Sequence, residues 1–159
     1  MKWQLTTGRA RIIAPSKLVW QWVSQPASWQ SWNPKIKDVL PLSPDAPCRG
    51  WRFRIVYQMR KSAQLVEAEL IEFVPGERLV CRTIGGDLKP GGEIIETYSL
   101  AADEETTLLT HVIDLSNSKM PWLSRLAVIV LAKLFNSSGD LGHVMNLKAL
   151  IEDGMAPPA

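Results

Sequence analysis

Period-two alternation dominates the middle of the chain. Trp51, Phe53, Ile55, Tyr57 and Met59 alternate with Arg52, Arg54, Val56, Gln58 and Arg60, the pattern of a strand with one buried and one wet face. Further strands are predicted at 64–74, 77–85, 92–101 and 105–116, separated by Lys61-Ser62, Pro75-Gly76, residues 85–92 and Asp103-Glu104. Connections this short join antiparallel neighbours, so a meander is expected. Ahead of it, residues 3–13 alternate around Leu5, Ala10, Ile12 and Ile13, and Ile36 to Leu42 is again extended. Between these two strands lie two short helical stretches. One runs from Lys17 to Ser24, with Pro15 near its first turn and Pro26 ending it. The other, over Ser28 to Trp32, stops before Asn33-Pro34 because the residue preceding proline is pushed out of the α region.

Beyond Ser118 the period lengthens to that of a helix, with no proline between Pro121 and Gly154. One long C-terminal helix is predicted, its stripe Leu123, Ala127, Val130, Leu134, Ser137, Leu141, Val144 and Ile151 packing on the sheet. Its middle, Asn136 to Gly142, is small and polar, although each glycine costs about 1 kcal/mol in a helix interior. That composition points to a space between helix and sheet, with Ser138 and Gly142 at its wall. Trp122 to Phe135 is apolar nearly all round, broken by Ser124, Arg125 and Lys133. A transmembrane helix needs about 20 such residues, so none is expected. A homodimer contact or a peripheral membrane contact through this stretch is the remaining expectation.

Composition narrows the class. A chain of 159 residues fits one domain able to bury roughly 70% of its unfolded surface. Residues 1–155 are expected to form it, with 156–159 as a disordered tail. The hydrophobic fraction of 46% and charged fraction of 21% are those of a water-soluble globular protein. Net charge is only +2, with basic residues scattered from Lys2 to Lys148, which argues against a nucleic-acid partner. Cys48 and Cys81 are too few for a metal cluster or disulfide framework, so neither metal nor cofactor is expected. Met1 to Arg11 lacks the apolar core of a secretory signal, and a cytoplasmic location is expected. Of seven tryptophans, Trp3, Trp20, Trp22, Trp29, Trp32, Trp51 and Trp122, some build core and others are candidates to line a cavity.

The order of strand, two short helices, long meander and terminal helix resembles the START-like (SRPBCC) superfamily. Local text carries the same likeness. Ala14-Pro15 through Val19-Trp20, the corner Trp29-Gln30-Ser31-Trp32-Asn33-Pro34-Lys35-Ile36, and the ending Gly142 to Glu152 with Leu147-Lys148-Ala149-Leu150-Ile151-Glu152 are similar to that superfamily's opening and close. The resemblance implies an α+β helix-grip fold, a curved antiparallel sheet wrapped around a long C-terminal helix. It also implies a cavity between them, entered near the short helices and hairpin loops. It brings no shared nucleophile or metal site.

Candidate chemistry comes from alternation. Leu109, His111, Ile113 and Leu115 share the more apolar face of their strand, so an inward His111 would lose solvation, which favours its neutral form. Such a histidine is either a hydrogen-bonded core residue or a ligand-contacting or acid/base group. Ile94, Glu96, Tyr98 and Leu100 share one parity; Glu96 is either a carboxylate in the cavity, a setting that disfavours charge, or solvated at a strand edge. Arg52 and Arg54 belong to the wet face, Arg82 is undecided, and His143 fits the surface or the cavity mouth. The glycines 85, 86, 91 and 92 suggest a mobile cavity lip. The candidate ligand-binding residues are Trp32, Trp51, Phe53, Ile55, Tyr57, Tyr98, His111, Ser138 and Gly142, and the candidate catalytic residues are His111 and Glu96. The leading expectation is a carrier of a hydrophobic small molecule, a lipid, polyketide-like or aromatic metabolite. The alternatives are a cyclase, dehydratase or lyase using His111 or Glu96 as acid/base, and a protein-interaction module.

Overall fold

The predicted strands form in order; β2 to β7 pair with their sequence neighbours, and β1 pairs with β7. The computed structural model describes residues 3–59, 62–136 and 142–157. Its strands are β1 (Gln4–Ile12), β2 (Ile36–Pro41), β3 (Arg52–Met59), β4 (Ser62–Val74), β5 (Arg78–Gly85), β6 (Glu93–Asp103) and β7 (Thr106–Asp114). They make one antiparallel sheet of order β1-β7-β6-β5-β4-β3-β2. Helix α1 (Ser16–Val23) and a 3-10 helix over Pro26–Ser31 follow β1, and α2 (Trp122–Asn136) and α3 (His143–Glu152) follow β7. The helix-grip α+β architecture is the one the resemblance implies.

Alternation sorts the two faces. Phe53, Ile55, Ala68, Leu70, Leu79, Cys81, Tyr98 and Leu109 are buried on the inner face with Ala10 and Ile12. The outer face carries cross-strand ion pairs, Arg54 to Glu67 at 3.4 Å, Arg78 to Glu72 at 3.2 Å and Arg82 to Glu69 at 2.6 Å. Such half-exposed pairs contribute little each, but they settle Arg82 on the outside and keep the arginines out of the core.

The terminal helix departs from the expectation. Gly142 has extended backbone, φ −87° and ψ 128°, and stands as the N-cap of α3, so one helix does not run from 121 to 154. The expected stripe divides as well. Val144, Leu147 and Ile151 of α3 are buried, whereas Leu123, Val130 and Leu134 of α2 are largely exposed. Ser137, Ser138 and Leu141, residues 60–61 and those from 158 lie outside the described residues.

What lets α3 lie close on β1 is Gly8. A Cβ at Gly8 would stand 2.6 Å from Val144 Cγ2 and 3.0 Å from its Cβ. Farther along, Lys148 Nζ donates to the Arg11 carbonyl at 2.7 Å, and the Ile13 amide donates to Glu152 Oε1 at 2.9 Å. Burying three aliphatic side chains contributes about 1.5–3 kcal/mol each, so α3 is held by packing first and by polar ties at its far end.

Gly8→Ala is expected to destabilise the fold by about 1–3 kcal/mol through overpacking. Val144→Ala made in the same chain should recover part of that loss, as measured by urea unfolding. Additive effects in the double variant would contradict the Gly8–Val144 contact as the limiting approach.

Candidate functional site

The register of β6 and β7 brings the chemistry together. Tyr98 stands opposite His111 and Glu96 opposite Ile113, so period two puts Glu96, Tyr98 and His111 on the inner face. Neither β6 nor β7 is an edge strand. The Glu96 side chain is 13% exposed and that of His111 1%, so the solvated-edge placement of Glu96 is not the one adopted. A register shift in β1 between Thr6 and Gly8 turns Thr7 to the same group.

These side chains form a connected network. His111 Nε2 is 3.1 Å from Glu96 Oε2, Tyr57 donates its hydroxyl to Glu96 Oε1 at 3.3 Å, and Thr7 Oγ1 is 2.5 Å from His111 Nδ1. A carboxylate only accepts, so an ionised Glu96 takes the His111 Nε2–H, and Nδ1 meets the Thr7 hydroxyl, which can donate or accept. The Tyr98 ring stacks on His111, 4.2 Å between centroids and 16° between planes.

Burial raises the pKa of Tyr57 and Tyr98, and the Glu96 charge raises both further. Cys81, opposite Glu96 on β5, has its thiol pushed up by the same two causes. Phenols and thiol therefore stay protonated, leaving Tyr57 as a hydroxyl donor.

From the other side α3 supplies His143. Its ring stacks on Trp32 at 5.7 Å and 18°, stands edge-on to His111 at 4.6 Å, and has Nε2 3.5 Å from the Tyr98 hydroxyl. Burial, then His111 and Lys35, hold its pKa well below the usual histidine value, so it is neutral near pH 7.

The inner face grades from closed to half-open. Trp51, Phe53 and Ile55 are 5% exposed or less, with Phe53 packed between Trp51 and Trp29 at 4.9 and 5.8 Å. These candidates serve as core at the closed end. Trp32 is likewise buried, but joins the polar cluster through His143. Tyr57, Ile94, Glu96, Ile113 and His143 are half-buried at the other end. Gly142 sits beside Thr7 and Gly8, within 4 Å if it carried a Cβ, and Ser138 lies outside the described residues.

A separate open groove of about 410 Å³ lies on the outside between the 3-10 helix and α3, lined by Gln30, Pro34, Asn146, Leu150 and Asp153 among others. Among the described residues no group of three or more His, Cys, Asp or Glu is placed to hold a metal. Sequence reasoning missed Thr7, whose orientation depends on the bulge, and left His143 open, since its position depends on where α3 starts. Gly8 was the available signal for the first, because glycine inside a strand pattern marks a bulge or close approach.

Comparison with known proteins agrees with this fold. The family model described as polyketide cyclase/dehydrase and lipid transport matches residues 5–152. Among solved structures, a START superfamily protein from Mycobacterium smegmatis superposes with TM-score 0.69 at 15% identity, over 94% of this chain and 97% of that one. The Zhui aromatase/cyclase from a Streptomyces species gives TM-score 0.69 at 15% identity, over 96% and 98%. Ginseng major latex-like protein 151 from Panax ginseng gives 0.64 at 13%, over 92% and 95%. At these identities the likeness is one of fold. No curated protein matches.

The depressed His143 pKa sets a pH dependence. The unfolded chain takes up a proton on this side chain below about pH 6.5 and the folded chain does so only at lower pH. The associated stability is therefore full above about 6.5 and lost as pH falls, at up to about 1.4 kcal/mol per pH unit. His143→Phe, which keeps a ring against Trp32, should flatten the fall in stability between pH 7 and 5 in urea unfolding. An unchanged slope would contradict a His143 held neutral in the folded chain.

Proposed function

The chain belongs to the polyketide cyclase/dehydrase and lipid transport family, and we propose that it binds an apolar small molecule of the lipid, polyketide-like or aromatic class between the inner sheet face and the C-terminal helical segment. The observation that carries this reading is the Glu96–His111 pair with its partners Thr7 and Tyr57, set at the half-open end of an otherwise apolar face. Apolar walls supply affinity by excluding water, and a few convergent polar groups fix orientation. A ligand carbonyl or hydroxyl at that end would exchange hydrogen bonds with Tyr57 or Glu96 while its apolar body lies along Ile94 and Ile113.

A second reading is favoured by one specific feature. With Nε2 at the Glu96 carboxylate and Nδ1 at the Thr7 hydroxyl, His111 is held in one orientation, and in an enzyme of the cyclase or dehydratase type a proton would pass between ligand and His111 through Thr7 or Glu96. Binding alone does not need an oriented tautomer.

A thermal-shift screen of fatty acids, flavonoids and quinones should find a stabilising compound, since a ligand at about 100 times its Kd adds roughly 2.7 kcal/mol. For that compound, Glu96→Gln and His111→Ala should weaken binding without any product forming. Conversion by the parent that drops about 100-fold in His111→Ala with affinity retained would replace the carrier reading with the enzymatic one. If none of the three compound classes shifts the melt, the binding reading fails.

A further inference from the structure

Among the described residues, α2 leaves a broad run of apolar side chains uncovered. Its inner side is defined by Arg125 and Ile129, both half-buried. Arg125 Nη1 donates to the Ser116 carbonyl at 3.3 Å, and the guanidinium lies 5.8 Å from the centre of the Trp3 ring. Apart from Ser124 and Lys133, its exposed residues described between Trp122 and Leu134 are apolar. Trp122 is 63% exposed, Leu123 61%, Leu126 43%, Val128 38%, Val130 45% and Leu131 49%. At about 100° per residue these positions sweep roughly two-thirds of the helix circumference. A helix apolar nearly all round is normally enclosed, by protein or by lipid.

Charge chooses between the two. From Leu115 to Gly139 there is no Asp or Glu, while Lys119, Arg125 and Lys133 all fall within that stretch. Lys119 Nζ donates to the Pro90 carbonyl at 3.1 Å, tying the start of this segment to the β5–β6 hairpin, where Lys89 is also exposed. A second copy packed across a two-fold axis would set this basic segment against itself. It would also bury one side of α2, whereas the apolar arc is wider than one side. Fluid acyl chains can close around such a rod while the lysines meet lipid phosphates.

We propose that α2 docks the protein on an anionic lipid bilayer, lying in the plane of the interface. Its 15 residues reach about 22 Å, short of the roughly 30 Å hydrocarbon core, and no helix of the described residues is long and apolar enough to cross a membrane. Trp122 at the helix start suits the headgroup boundary, where indole rings are favoured. This inference is independent of the ligand-binding reading, because among the described residues those around His111 come from other elements than α2.

The test is co-sedimentation of the full chain with vesicles of phosphatidylcholine alone or mixed with phosphatidylserine at about 3:1. Binding is expected on the mixed vesicles, weakening as salt is raised. Leu126→Asp should abolish it, and Lys133→Glu should weaken it about tenfold or more by replacing an attraction with a repulsion. Both side chains are exposed, so both variants should melt as the parent does, and either alone suffices if the other does not fold. Equal binding to both vesicle types, or binding untouched by the two substitutions, would overturn the proposal. So would a concentration-dependent dimer in sedimentation velocity that Leu126→Asp dissolves while no vesicle binding is seen, an outcome that assigns the face to a second copy.

Discussion

The approach of α3 to β1 is the constraint on which the site depends. Val144 rests on Gly8 where a Cβ would collide, and this fixes both the height of α3 above the sheet and its position along β1. His143, the preceding residue, is thereby delivered over His111 and against Trp32. Thr7, on the other side of Gly8, is turned inward by the bulge and reaches His111 from below. One small residue in one strand sets the position of two polar groups around His111, because interiors are packed too tightly for the helix to take an intermediate height.

Once closed in this way, the inner face contains a charge pattern that burial alone would oppose. The Glu96 carboxylate accepts from Tyr57 and His111, which offsets the desolvation that an isolated buried charge would suffer. Its field is felt by Tyr57, Tyr98 and Cys81, each of which holds its proton more tightly as a result. The network therefore has a defined protonation pattern at neutral pH: phenols and thiol neutral, His143 neutral. Such a network rigidifies the half-open end while the aromatic cluster of Trp29, Trp51 and Phe53 fills the closed one.

Alternation made the sheet legible. The seven strands follow directly from period two, as do the outward placement of Arg52 and Arg54 and the shared parity of Glu96 and Tyr98. The terminal helical segment was less legible, for a physical reason: an apolar period of 3.6 does not say which side of a helix meets the sheet, nor whether a glycine such as Gly142 interrupts it. Hence the stripe through Leu123, Val130 and Leu134 was expected to be covered and is exposed. Thr7 was hidden because a bulge changes parity without changing composition. Phe53 and Ile55 illustrate the converse limit, since sharing the inner face says nothing about lying at its open or closed end. Glu96 held two readings in the sequence, and only strand order, which puts β6 inside the sheet, separates them.

The central claim is that the half-open end of the inner face, and not the outer groove beside α3, is where an apolar ligand sits. NMR shift mapping with a bound flavonoid or fatty acid tests it most directly. The largest changes are expected at the ring resonances of Tyr57, Tyr98 and His111 and the amides of Ile94 and Ile113. Changes confined to Gln30, Asn146, Leu150 and Asp153 would place the ligand in the outer groove and contradict the account.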